Sequence, residues 1–87
     1  MTVRPALITG AGGDIGCAVA DALRAAGNPV AIADLDLAKA GRVAARDGAA
    51  PAIALELDVT DSAAVGEAVA LTVEAFGGLG ALVTCAG

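Results

Sequence analysis

The stretch Thr9-Gly10-Ala11-Gly12-Gly13-Asp14-Ile15-Gly16 places four glycines in eight positions. Glycine is costly to order, so such a cluster marks backbone that bends sharply or that something approaches closely. Alone it reads equally as a cradle for phosphates and as a flexible surface turn, and its flanks decide between the two. Upstream, residues 6–9 (ALIT) form a short apolar run that reads as a buried strand. Downstream, from Asp14, Ile15, Val19, Ala22, Leu23 and Ala26 recur at helical spacing, and Gly27 followed by Pro29 closes the helix. Asp14 stands at that helix start, where an acid favours the dipole. The glycines therefore join a strand to a helix.

The same grammar continues along the chain. Residues 29–34 (PVAIAD) read as a second buried strand. A helix follows from Asp36 with Gly48 as its stop; its apolar face is weak, mostly Leu37, Ala40 and Ala44. In residues 52–58 (AIALELD), Ile53, Leu55 and Leu57 alternate with small or acidic residues, and Glu56 points to an edge strand. Asp61 is the expected N-cap of a third helix with Val65, Val69, Val73 and Phe76 on one face, ended by Gly77 and Gly78. Residues 81–85 (ALVTC) are a fourth strand. The order β-α-β-α-β-α-β argues for parallel strands joined by right-handed crossover helices, hence an α/β doubly wound sheet. The expected strand order is 3-2-1-4, with the first two helices on one face and the third on the other. Strand four then presents an apolar edge able to pair with another chain.

Composition narrows the partners. The chain has 87 residues, enough for one small domain, and is 57% hydrophobic with Phe76 as its single aromatic. Net charge is −5, and the five basic residues form no dense cluster in sequence, which argues against nucleic acid and against an anionic membrane surface. No apolar stretch is long enough to span a bilayer. Met1 to Pro5 is too short for a secretory leader ahead of the first apolar run. Two cysteines, Cys17 and Cys85, are too few for a disulfide framework and read as reduced, packed thiols of a cytoplasmic protein.

The glycine spacing is not G-x-G-x-x-G, because the third glycine would fall at Ile15. It is not a Walker loop either, since no Lys-Ser or Lys-Thr follows. T-G-x-x-G-x-x-G is met by Thr9, Gly10, Gly13 and Gly16. Asp34 at the end of strand two, Asp58 and Val59 after strand three, and LVTCAG at residues 82–87 complete the set. Jointly these motifs resemble the short-chain dehydrogenase/reductase family, over the whole chain but only about the first third of a typical member.

The resemblance implies a Rossmann-like fold and a set of roles. Gly10, Gly12, Gly13, Asp14 and Gly16 belong to the turn that receives the pyrophosphate of NAD, with Ile15 packing the helix onto the sheet. Asp34, followed by Leu35, binds the adenosine ribose hydroxyls. Asp58 bonds the adenine amino group and Val59 lies against the ring. Ala86 and Gly87 pass close to the nicotinamide-side ribose. NAD is expected rather than NADP, because Asp34 repels a 2′-phosphate while Leu35 and Gly13 supply no cation. Thr9 is expected to bond local backbone in the turn. The chain departs from the family at Thr84 and Cys85, which replace asparagines, at Asp14, which adds negative charge near the phosphates, and at Gly80, where an aspartate is common.

The family's catalytic Ser, Tyr and Lys cannot be assembled here. There is no tyrosine or histidine, the only serine is Ser62 and the only lysine is Lys39. No catalytic residue and no metal site is assigned. Residues 1–87 are expected to be the partial, cofactor-binding Rossmann domain of a homo-oligomeric oxidoreductase, cut after strand four and inactive alone. The longer protein would exchange hydride between a nicotinamide cofactor and a small alcohol or carbonyl substrate. Two alternatives stay open at this point: a stand-alone, non-catalytic nucleotide-binding module, and a fragment of a sugar-nucleotide epimerase or dehydratase from the extended branch of the family.

Overall fold

In the computed structural model, which describes residues 3–85, the run ALIT forms β1 (Ala6–Thr9), buried at all four positions. It is followed by α1 (Asp14–Ala25), β2 (Val30–Asp34), α2 (Leu37–Ala44), β3 (Ala52–Glu56), α3 (Ser62–Phe76) and β4 (Ala81–Thr84). The four strands make one parallel sheet of order β3-β2-β1-β4. Register is in phase across the centre, with Leu7 opposite Ala31 on one side and Leu82 on the other.

Strand alternation sends the sheet's side chains into two cores. Ala6, Ile8, Val30 and Ile32 face α1 and α2, meeting Ala20, Ala40 and Val43. Leu7, Ala31 and Ala33 face α3, with Leu57 and Ala68 completing the cluster. Ile53 and Leu55 pack onto this second core while Ala52 and Ala54 pack onto the first, as the alternation in β3 requires. Glu56 is exposed on the edge strand. Parallel pairing puts the carboxyl ends of all four strands on one rim, where open α/β sheets bind ligands.

Three helices differ in detail from expectation. In α1 the buried positions are Gly16, Ala20 and Arg24, whereas Ile15 is 73% exposed and Ala22 and Ala26 face solvent. Small residues let the helix lie close to the sheet, and Ile15 is turned away from it. α2 stops at the C-cap Ala45, three residues before Gly48. The cause is tertiary: the buried Arg24 donates from Nε to the Ala50 carbonyl at 2.7 Å and from a terminal nitrogen to the Arg46 carbonyl at 2.8 Å. These bonds hold the α2–β3 connection in a non-helical path. In α3 the buried seam runs through Ala68 and Thr72, flanked by Val65, Val69 and Phe76, while Val73 is largely exposed.

The caps follow the sequence. Asp36 accepts from the backbone N–H of Ala38 and Lys39 at the start of α2, and Asp61 from those of Ala63 and Ala64 at the start of α3. α1 begins differently: its N-cap is Gly13 and no side chain caps it. No helix among the described residues is long and apolar enough to cross a membrane.

Candidate functional site

The uncapped start of α1 opens onto a cleft of about 590 Å3 at the carboxyl rim of the sheet. Gly10, Gly13, Asp14 and Gly16 line it from the turn, Asp34 and Leu35 from the end of β2, and Val59 from the loop after β3. The elements that sequence reading singled out thus converge, although they come from separate parts of the chain.

Each glycine of the turn serves a different end. Gly10 has φ of +65°, a left-handed conformation that side chains disfavour, and it turns the chain out of β1. A Cβ on Gly16 would lie 2.4 Å from the Ala11 Cα, so this glycine lets α1 close onto the turn. A Cβ on Gly12 would meet the Lys39 Cβ at 2.6 Å and Asp34 Oδ2 at 2.9 Å. Gly12 is not among the cleft's walls; it packs α2 against the turn and donates its N–H to Asp34 Oδ2 at 2.9 Å. Gly13, unlike Gly12 and Gly16, has nothing within 4 Å of where its Cβ would be. It keeps the approach to the helix start open, where unpaired amides and the helix dipole favour an anion.

Asp34 is half-buried. Its Oδ2 accepts from Gly12 and its Oδ1 from the Asp36 N–H at 2.9 Å. A carboxylate offers about four lone-pair sites, so the two oxygens are oriented by backbone and still able to accept from a ligand hydroxyl. Leu35, Val59 and Ile15 are 68%, 48% and 73% exposed, and all three line the cleft. Exposed apolar side chains gathered on one concave surface mark a ligand site. Ile15 is therefore a wall of the cleft and does not pack helix to sheet as expected, because the close approach of Gly16 to Ala11 turns it outward.

Asp58 is exposed and is not among the cleft's walls. Its Oδ1 accepts from the Thr60 hydroxyl at 2.6 Å and the Thr60 N–H at 2.9 Å. These bonds hold its carboxyl below the ordinary carboxylate range, the hydroxyl contributing most and the backbone next. Thr9 departs from expectation: it is 3% exposed, and its hydroxyl oxygen has no hydrogen-bond partner among the described residues. Its carbonyl accepts from the Cys85 N–H at 2.9 Å, tying β1 to the end of β4. Ala86 and Gly87 lie outside the described residues.

Three further cleft residues escaped the sequence reading: Lys39, Leu57 and Cys85. Lys39 lies in the first turn of α2, and the signal for it was available in Gly12, whose missing side chain leaves room for the Lys39 stem. Among the described residues no group of three or more His, Cys, Asp or Glu side chains is placed to hold a metal.

Comparison with known proteins agrees with this geometry. The family model for short chain dehydrogenases matches residues 4–87. Galactitol 2-dehydrogenase of Agrobacterium fabrum is 49% identical over 78 residues, covering 90% of this chain and 30% of that protein. Hydroxysteroid dehydrogenase from Escherichia coli superposes with a TM-score of 0.89 at 28% identity, over 97% of this chain and 37% of that one. 3-Ketoacyl-(acyl-carrier-protein) reductase from Brucella melitensis, solved in complex with NADH, superposes with a TM-score of 0.83 at 39% identity, over 91% of this chain and 32% of that one. The chain spans about a third of the length of these relatives.

Proposed function

Because the chain belongs to the short-chain dehydrogenase/reductase family, we propose that residues 1–87 are the part of an oxidoreductase that grips the adenosine diphosphate end of NAD. The observation that carries this reading is the pairing of the open, uncapped α1 start at Gly13 with the backbone-oriented Asp34 across one cleft. When bound, the dinucleotide supplies a hydride donor or acceptor.

The chain's own residues bind and orient. The Gly13–Gly16 amides take the pyrophosphate, and Asp14, at the same helix start, opposes that charge. Asp34 accepts from the ribose hydroxyls through its remaining lone pairs and repels a 2′-phosphate, which favours NAD over NADP. Leu35 and Val59 offer apolar contact to the adenine faces, with the Asp58 carboxylate at the rim for its amino group. The general acid/base and the substrate pocket come from outside this chain, which has no tyrosine or histidine. Substrates are small alcohols or carbonyl compounds, and the longer protein works as a cytoplasmic homo-oligomer.

Titration of the purified protein with NADH, followed by nicotinamide fluorescence, tests the reading. Saturable binding that weakens at least five-fold in Gly13→Val and in Asp34→Ala is expected. Binding no better than to heat-denatured protein, or insensitive to both substitutions, overturns it. With NAD and a panel of secondary alcohols, the 87-residue chain should give no NADH absorbance above a heat-treated control.

A further inference from the structure

A groove of about 220 Å3 lies beside β3, at the edge of the sheet opposite β4. The strand lines it with Ala54, Leu55 and Glu56, and α3 with Glu67 and Leu71, which a spacing of four places on one helix face. Leu37, the first residue of α2, is a further wall. β3 is a terminal strand. Pro51 accepts from the Val30 N–H and Leu57 donates to the Asp34 carbonyl, so the odd-numbered positions turn their backbone polar groups toward β2. Strand alternation turns those of Ala52, Ala54 and Glu56 outward, where no strand lies among the described residues. An exposed acid on such an edge discourages pairing between copies. That accounts for Glu56 and leaves Leu37 and Leu71 unexplained, each 48% exposed on the same groove. The groove's charge is also one-sided. Glu56 and Glu67 have no ion-pair partner among the described residues, and none of the chain's five basic residues lines it.

From the free strand edge, the apolar walls and the unpaired acids together we infer that the β3 edge is a docking site for an extended, basic segment of a partner protein, which joins the sheet as an additional strand. The segment's backbone pairs with the outward groups of Ala52, Ala54 and Glu56, and its side chains supply the selectivity. Leu55 packs on the α3 side of the sheet and Glu56, by alternation, points to the other side. A segment that alternates apolar and cationic residues therefore sets its apolar side chains toward Leu55 and Leu71 and its cations beside Glu56. Glu67 adds to the negative field that draws the segment in. A second copy of this chain is a poor occupant, because pairing edge to edge gathers the acids of both copies in one place. The groove shares no wall with the cleft at the carboxyl rim, so this docking site and the proposed dinucleotide site stand or fall separately.

The test is fluorescence polarisation of the purified protein with a labelled peptide of alternating sequence, Lys-Val-Arg-Val-Lys-Val, blocked at both ends. Saturable binding is expected, and rising NaCl should weaken it. A peptide of the same composition with its valines together, Val-Val-Val-Lys-Arg-Lys, keeps the charge and loses the alternation, and should bind about five-fold more weakly or worse. Glu56→Gln/Glu67→Gln should weaken the alternating peptide by about five-fold. Glu74→Gln, on the same helix outside the groove, and Leu82→Gln, on the opposite edge strand, should leave it unchanged. Amide exchange gives the location: the peptide should slow the Ala54 and Glu56 amides and leave those of β4 as they were. Absence of saturable binding, equal binding of the shuffled peptide, indifference to the double variant, or protection at β4 in place of β3 overturns the inference. So does protection of the Ala54 amide that grows with protein concentration in the absence of peptide, which makes a second copy the occupant. Far-UV circular dichroism confirms that the variants, all at exposed positions, are folded.

Discussion

Asp34 Oδ2 accepts the Gly12 N–H at 2.9 Å, which ties the end of β2 to the middle of the glycine turn. With the Asp36 N–H on Oδ1, one carboxylate orders both loops that form the cleft. Its loss should therefore be felt without any ligand. Hydrogen bonds to a charged group contribute about 1.5–3 kcal/mol each, so Asp34→Ala should destabilise the free protein by a few kcal/mol in urea unfolding. Unchanged stability would separate the carboxylate from the turn.

Gly13 and Gly16 should differ in their tolerance of the same added methyl. At Gly16 the new Cβ meets the Ala11 backbone at 2.4 Å, which cannot move aside. Overpacking of this kind costs about 1–3 kcal/mol, occasionally more. At Gly13 the position is open. Gly16→Ala should lower the melting temperature by several degrees, and Gly13→Ala should leave it within about a degree.

Arg24 should be irreplaceable by lysine. Its fork reaches two carbonyls in different directions, Ala50 and Arg46, from a site that is 6% exposed. An ammonium cannot reproduce that geometry. Arg24→Lys and Arg24→Met should each cost about 2–4 kcal/mol, with faster amide exchange over residues 46–51 as the local signature. Protection there equal to wild type would refute the clamp.

Asp58 gives a pH dependence whose sign is set by its lowered pKa. A depressed folded value means that the group's contribution to stability is present above the ordinary value of 3.8 and fades as pH falls through the lowered one. Thr60→Val removes the larger cause, the hydroxyl donor, and keeps the smaller, the backbone N–H. The carboxyl-carbon titration of Asp58 should then move up toward the ordinary range. No movement would assign the shift to something other than Thr60.

The outer edge of β4 should make the 87-residue chain self-associate. Leu82 is 54% exposed, and among the described residues β4 pairs only with β1. Sedimentation velocity should show species larger than a monomer at tens of micromolar, and Leu82→Lys should reduce them. A monodisperse monomer with a sharp cooperative melt would contradict this.

What was legible in the sequence was local. The limits of β1 follow from an apolar run ending at Gly10, and the starts of α2 and α3 from Asp36 and Asp61. The strand order follows from alternation and the handedness of crossovers. What was not legible depends on contacts between distant residues. The inward face of α1 is made by Gly16 and Ala20, and in so alanine-rich a chain the larger Ile15 attracts the eye although it faces the cleft. The early end of α2 depends on Arg24. Lys39 enters the cleft through its fit against Gly12, which no spacing rule expresses.

The in-phase register of β1 has a consequence for how the protein is made. β1 leaves the ribosome ahead of the other three described strands, yet its two flanks arrive at very different times. Val30 reaches Ala6 early, whereas Ala81, on the other side, is nearly the whole chain away. At roughly 5–20 residues per second, the hydrogen-bonding edge of the most buried strand waits several seconds for its second neighbour. A nascent chain stalled before β4 presents that edge to chaperones, and the arrival of ALVT is the event that withdraws it.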